Sequence, residues 1–176
     1  MKIGIDSYCF HRFFGEVYPH QTAPEKGMTM EDFLAYAKEL DVDGVSLESC
    51  FFPSFDKGWF RELKAQLDDY GFDRVYAWGH PDGLEAGGNR DAYDDMIAQI
   101  PNAPLIGADV MRIVASSLMF RFEPHGPQID ILAKWLKDAV KVAEDHGVKL
   151  AVENHIDYTA KECLELLERV DSPYLG

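Results

Sequence analysis

Five short apolar runs, each followed by a stretch with helical periodicity, limit the folds open to this chain more than any other feature. The runs cover residues 2–7, 44–49, 74–78, 110–115 and 149–154, each about the length of a strand. Their starts lie about 30 to 42 residues apart, a spacing that suits parallel strands joined by helical crossovers. Thr29 is placed to cap a first helix whose Phe33, Ala37 and Leu40 face inward, and a second spans residues 59–70 with Gly71 beyond its end. A third, over residues 90–99, runs into Pro101 and Pro104, which predict a break or a second short helix. The fourth, over residues 129–146, carries Leu132, Trp135, Leu136, Ala139, Val140 and Ala143 on one stripe and stops at Gly147. The last covers residues 160–170 with Leu164 and Leu167 inward.

A doubly wound sheet fits this alternation too, but its first strand-to-helix turn should carry a glycine-rich phosphate loop. DSYCFHRFFGEV is not one. The expected fold is therefore an α/β (β/α)8 TIM barrel represented by its first five βα units. Residues 1–176 would form a single partial barrel domain, with the sixth to eighth units absent.

Composition removes several function classes. A net charge of −14 without a Lys/Arg cluster argues against nucleic acid as a partner. No apolar run reaches about 18 residues, which argues against a membrane span. MKIGIDSY enters a strand pattern directly, so the cytoplasm is the expected compartment. Cys9, Cys50 and Cys163 are odd in number and lack CxxC spacing, which points to reduced thiols; Cys50 reads as a small buried filler.

Alternation along the strands sorts side chains into two sets. Ile3, Ile5, Val45, Leu47, Leu150 and Val152 form an apolar parity that packs on helices, while Asp6, Ser46, Glu48, Ala151 and Glu153 take the other. In the fourth run Arg112 opposes Met111 and Ile113, which makes it an inward cation beside Asp6 and Glu48. Charge inside a barrel must be paired or used. Active sites of such barrels gather at the C-terminal strand ends, where Glu48, His80, Glu153, Asn154 and His155 all fall.

The blocks MKIGIDSY, AKELDVDGVSLES, ADVMRIVA, AEDHGVKLAVENH and LLERVDSPYLG together resemble the xylose isomerase-like TIM barrels, the sugar phosphate isomerase/epimerase group. The resemblance covers the whole chain. It implies a divalent metal, Mn²⁺ first and Mg²⁺, Co²⁺ or Zn²⁺ as alternatives, held by a Glu after the fifth strand and an Asp, a His and a Glu after the sixth, seventh and eighth. Only the first of these matches here, as Glu153. It also implies an enzyme that isomerises or epimerises a keto sugar or sugar derivative through an enediolate-type intermediate. Five parallel strands alone leave the first and fifth unpaired, so the chain is expected to be aggregation-prone or oligomeric. DSYCFHRFFGEVYP and AWGHPDGLE carry a narrower resemblance, to the barrel subunit of C-glycoside-cleaving enzymes, which perform metal-assisted elimination beside a smaller second subunit.

Each candidate has a plain structural alternative. Glu153 is a metal ligand and catalytic carboxylate, or the partner of Arg112. His155 is a general acid/base or binds a substrate hydroxyl; otherwise it is a loop histidine bonded to backbone. Asn154, on the opposite parity, supports the site from behind. His80 and Trp78 offer an imidazole and an aromatic wall for a sugar, or pack in the core. Glu48 divides evenly between site and structure, whereas Arg112 reads mainly as a structural partner. His11, a candidate to touch substrate, opens a long loop, residues 11–28, whose Phe13, Phe14 and Tyr18 form a lid or a subunit contact. Two rival classes remain: a metal-dependent apurinic endonuclease, disfavoured by the acidity, and a non-catalytic barrel fragment.

Overall fold

The computed structural model describes all of residues 1–176. Strands β1 (Gly4–Asp6), β2 (Gly44–Glu48), β3 (Asp73–Ala77), β4 (Val110–Val114) and β5 (Lys149–Glu153) lie side by side in that order, all parallel. The crossovers contain helices α1 (Met30–Glu39), α2 (Lys57–Tyr70), α3 (Arg90–Gln99), α4 (His125–Asp145) and α5 (Ala160–Val170). A doubly wound sheet reverses its strand order near the middle, whereas sequential order without reversal is that of a barrel wall. The five units make an open, partial barrel. No helix is long and apolar enough to cross a membrane.

At the far edge the chain goes slightly further than the sequence reading placed it. Leu150 N–H donates to Tyr174 O at 2.8 Å, Val152 N–H to Gly176 O at 2.7 Å, and Gly176 N–H to Leu150 O at 2.9 Å. Leu150 and Leu175 pair in parallel. Residues 174–176 thus occupy the position of a sixth strand, because the outer backbone groups of β5 need partners.

Local chemistry accounts for the element ends. Thr29 and Asp32 form a reciprocal capping box at the start of α1, and Thr159 with Glu162 repeats it at α5. Asp56 and Asn89 cap α2 and α3 through their side chains. The predicted break after α3 is a 3₁₀ segment, Ile100–Ile106, with Pro104 inside it. The α4 helix begins four residues before the predicted start, since Pro127 falls in the first turn, where its missing N–H breaks no bond.

The core lies between the sheet and its helices. Leu47, Met111, Ile113 and Leu150 on the strands meet Phe33, Leu67, Met96 and Leu136 on the helices, all fully buried. Three apolar expectations fail at margins. Leu40 is 44% exposed because α1 ends before it, and Leu164 is 54% exposed. The α5 helix packs on α4 and buries Leu166 and Val170 instead. Ile3, ahead of edge strand β1, is 57% exposed.

Candidate active site

Register decides which side chains share the inner face. Glu48 pairs with Ala77, Ala77 with Arg112, Arg112 with Ala151, and Val114 with Glu153. Residues in register point the same way, so Glu48, Arg112 and Glu153 meet inside. Arg112 forms an ion pair with Glu48, whose side chain is 4% exposed, and a second with Glu153 Oε2 at 2.8 Å. One guanidinium therefore serves two carboxylates. Glu48 is anchored further by its own N–H, which donates to Ser7 Oγ at 2.9 Å. The Glu153 side chain remains 40% exposed, and its Oε1 has no protein partner. The pairing expected for Glu153 as a structural carboxylate and an oxygen available to a ligand thus occur in the same residue.

These groups border a cavity of about 660 Å³ at the C-terminal strand ends. Its lining includes Glu48, Trp78, His80, Arg112, Glu153 and His155 from the strand ends, together with Tyr8, Phe14, Glu16, Tyr18 and Phe51. His80 stacks on Trp78 at 5.4 Å between centroids and 16° between planes. The Nδ1 atoms of His80 and His155 are both buried without a partner, which leaves Nε2 as the ring nitrogen each can offer. A metal-bound histidine usually gives its second ring N–H to an acceptor. These two rings are better suited to hydrogen bonding with a ligand, or to proton transfer, than to ligation.

The loop that carries His155 is tied tightly. Its N–H donates to Asp157 Oδ1 at 3.0 Å, Asn154 Oδ1 accepts from Ile156 N–H at 3.3 Å, and Asn154 Nδ2 donates to Tyr158 O at 3.1 Å. Asn154 is exposed and braces the loop from outside the cavity.

Trp78 combines the two roles open to it, whereas His11 departs from expectation. Trp78 borders the cavity but is fully buried, and its Nε1–H donates to Asp95 Oδ2 of α3 at 2.8 Å. Ala77 holds the inward parity, so the indole of Trp78 turns to the helix layer and serves the site by backing His80. His11 is absent from the cavity wall: its Nδ1 contacts Glu16 O at 2.7 Å and its ring stacks on Tyr8 at 5.1 Å. It braces the loop from behind because its backbone carbonyl and ring both close the turn on Glu16.

The same loop supplies residues that sequence reasoning missed. Tyr18 O–H donates to Glu16 Oε1 at 2.9 Å, and Tyr8 O–H reaches the same oxygen at 3.3 Å while bonding the Tyr18 hydroxyl. Burial first, then the Tyr18 hydroxyl and the Glu16 charge, push the Tyr8 phenol up, so it stays a neutral donor. Phe14 lies flat on Phe51 at 4.6 Å. The lid reading of Phe14 and Tyr18 pointed to this wall, but nothing marked Tyr8 or Glu16.

Gly79 is a second omission. A Cβ there would lie 2.6 Å from Cys50 Sγ and 2.9 Å from Glu48 Oε2, so only glycine lets the two side chains close beneath it. Cys50 is an exposed residue on the cavity wall rather than a buried filler. Its thiol, tucked against Gly79, is pushed up to about 11 by burial and then by the Glu16 charge, which leaves no thiolate near neutral pH.

A divalent cation needs several oxygen or nitrogen donors. No three His, Cys, Asp or Glu side chains converge closely enough to hold one. The residues present do not make a metal site on their own.

Sequential parallel strands, a helix layer outside and a cavity at the C-terminal strand ends define part of a (β/α)-barrel wall. The family described as xylose isomerase-like TIM barrel matches residues 34–176, and the chain belongs to that family. No curated protein matches it. Among solved structures, a xylose isomerase domain protein from Planctomyces limnophilus superposes with a TM-score of 0.71 at 18% identity, over 99% of this chain and 61% of that one. A D-psicose 3-epimerase, solved in the presence of D-fructose, gives 0.75 at 12% identity over 100% and 62%. The 3-keto-D-glucoside 4-epimerase from E. coli gives 0.70 at 17% over 100% and 66%. At such identities the likeness is one of fold, and the chain spans about three fifths of each of these structures.

Proposed function

We propose that this wall belongs to a cytoplasmic sugar isomerase or epimerase that acts on a keto sugar or sugar derivative by removing a proton beside the carbonyl. The convergence of Glu153 Oε1 with His80 and His155 on one cavity carries the reading. Glu153 is oriented by Arg112 and keeps one oxygen free, as a base that must reach a C–H bond requires. His155 and His80 would bond the hydroxyls flanking the carbonyl and pass protons through Nε2 as an enediolate forms and collapses. Arg112, held by Glu48, fixes the Glu153 carboxylate in that orientation.

The family resemblance implies a divalent ion, Mn²⁺ in preference to Mg²⁺, Co²⁺ or Zn²⁺. In this proposal Glu153 would be its only ligand among residues 1–176.

A second reading, metal-assisted elimination from a keto glycoside, is favoured by the aromatic half of the cavity. The rings of Tyr8, Phe51 and Phe14 form a roughly parallel column at successive spacings of 6.2 and 4.6 Å. Such a wall suits a planar group attached to the sugar, and the smaller second subunit implied by that resemblance would be its partner.

The test is deuterium exchange in D₂O by the complete polypeptide with Mn²⁺, using D-fructose and D-psicose and following the proton on C3 by NMR. Glu153→Gln should slow exchange by about 10²-fold or more, the scale of a lost general base, with an unchanged circular dichroism spectrum. Exchange at the wild-type rate would remove Glu153 from the chemistry. Release of an aglycone from a 3-keto glycoside without C3 exchange in the ketoses would favour the second reading.

A further inference from the structure

We infer that this half of the site selects an uncharged polyhydroxylated substrate and excludes phosphate esters and carboxylates; the inference rests on the sugar reading and narrows it. Four carboxylates, Asp6, Glu16, Glu48 and Glu153, border the cavity, against one cation, Arg112. No lysine lines it. An anion-binding pocket in a barrel needs a free guanidinium, a free ammonium or converging backbone N–H groups. Arg112 is not free, because Glu48 and Glu153 occupy both its terminal nitrogens. Releasing it to a phosphate would strand Glu48, which is buried, without a counter-charge.

The remaining polar groups match hydroxyls instead. Tyr8 and Tyr18 present phenols joined to Glu16, and each phenol can donate to or accept from an alcohol while Glu16 accepts. His80 and His155 add two ring nitrogens of the same dual character. An ion of charge two bound at Glu153 would not turn the balance positive. The chain's net charge of −14 adds a long-range field of the same sign.

The experiment titrates the complete polypeptide at pH 7.5 with D-fructose, D-fructose 6-phosphate and inorganic phosphate, reading the ring signals of His80 and His155 by NMR. D-Fructose should move both signals at millimolar concentration. The phosphate ester should need at least tenfold more, and the gap should narrow in high salt and in Glu16→Gln. Inorganic phosphate should move neither signal. Movement by the ester or by phosphate at the concentration where fructose acts would overturn the exclusion and leave the sugar reading intact. Silence towards all three would remove the sugar reading and, with it, the proposed selection.

Discussion

The middle of the sheet and its margins are built to different standards, although one arginine joins them. In β2 four of five residues are buried, whereas β1 has none and β5 one. Arg112 holds Glu48 in the buried middle and Glu153 at the half-open margin. The same ionic contact is therefore structural on one side and available for chemistry on the other. A carboxylate without water must keep its cation, while one still wetted can exchange it for a ligand.

That asymmetry predicts a large difference between two deletions. Arg112→Ala would leave Glu48 charged and buried with no partner, a loss of about 3–5 kcal/mol. Glu153→Gln removes a half-exposed partner and should cost no more than about 1 kcal/mol. Urea unfolding of both variants measures this directly. Equal losses would mean that Glu48 is hydrated and that the middle is no more closed than the margin.

The margins also leave surface uncovered. Backbone groups along the outer edge of β1 lack a neighbouring strand, and Phe122, Met119 and Ile156 are 88%, 73% and 65% exposed in the loops after β4 and β5. Open edges and apolar patches associate. The 176 residues alone should therefore sediment above the 19.9 kDa monomer at about 100 µM, the range in which exposed edges aggregate, and should bind Mn²⁺ weakly. A monodisperse monomer with tight, stoichiometric metal would break the comparison, since the margins would then be complete as they stand.

The same contrast explains what could be read from the sequence. Strands β2 to β5 were legible within about a residue because alternation is sharp where one face is buried. The Glu48, Arg112 and Glu153 grouping followed from parity alone. Leu40, Leu164 and Ile3 misled because periodicity shows which residues could be buried, and packing neighbours decide which are. Tyr8 and Glu16 stayed hidden because loop contacts between residues 8 and 18 have no period to reveal them.

The smallest expected effect concerns how the marginal helix α5 is attached. His125, at the start of α4, places Nδ1 2.8 Å from Glu162 Oε1 in the first turn of α5, and its Nε2 lies 3.0 Å from Arg121 O. Hydrogen bonding to Glu162 raises the His125 pKa from its ordinary 6.5. Glu162 is lowered from 4.5 to about 2, by the backbone and side chain of Thr159 first and His125 after them. The raised histidine stabilises the folded form fully below pH 6.5, and that contribution fades as pH rises through its folded value. The depressed carboxylate stabilises fully above pH 4.5, and that contribution fades as pH falls towards 2. Both are complete only between about pH 4.5 and 6.5. Amide exchange in α5, corrected for intrinsic rates and set against α2, should show its greatest relative protection in that window. Solvent reaches both side chains, so the change should be modest. His125→Gln should remove the decline above pH 6.5, while Glu162, still bonded to Thr159, should preserve the decline at low pH. If α5 loses protection above pH 6.5 equally in His125→Gln, the attachment is not carried by this pair. The margin would then be loosened by the overall negative charge, as the middle of the sheet would be.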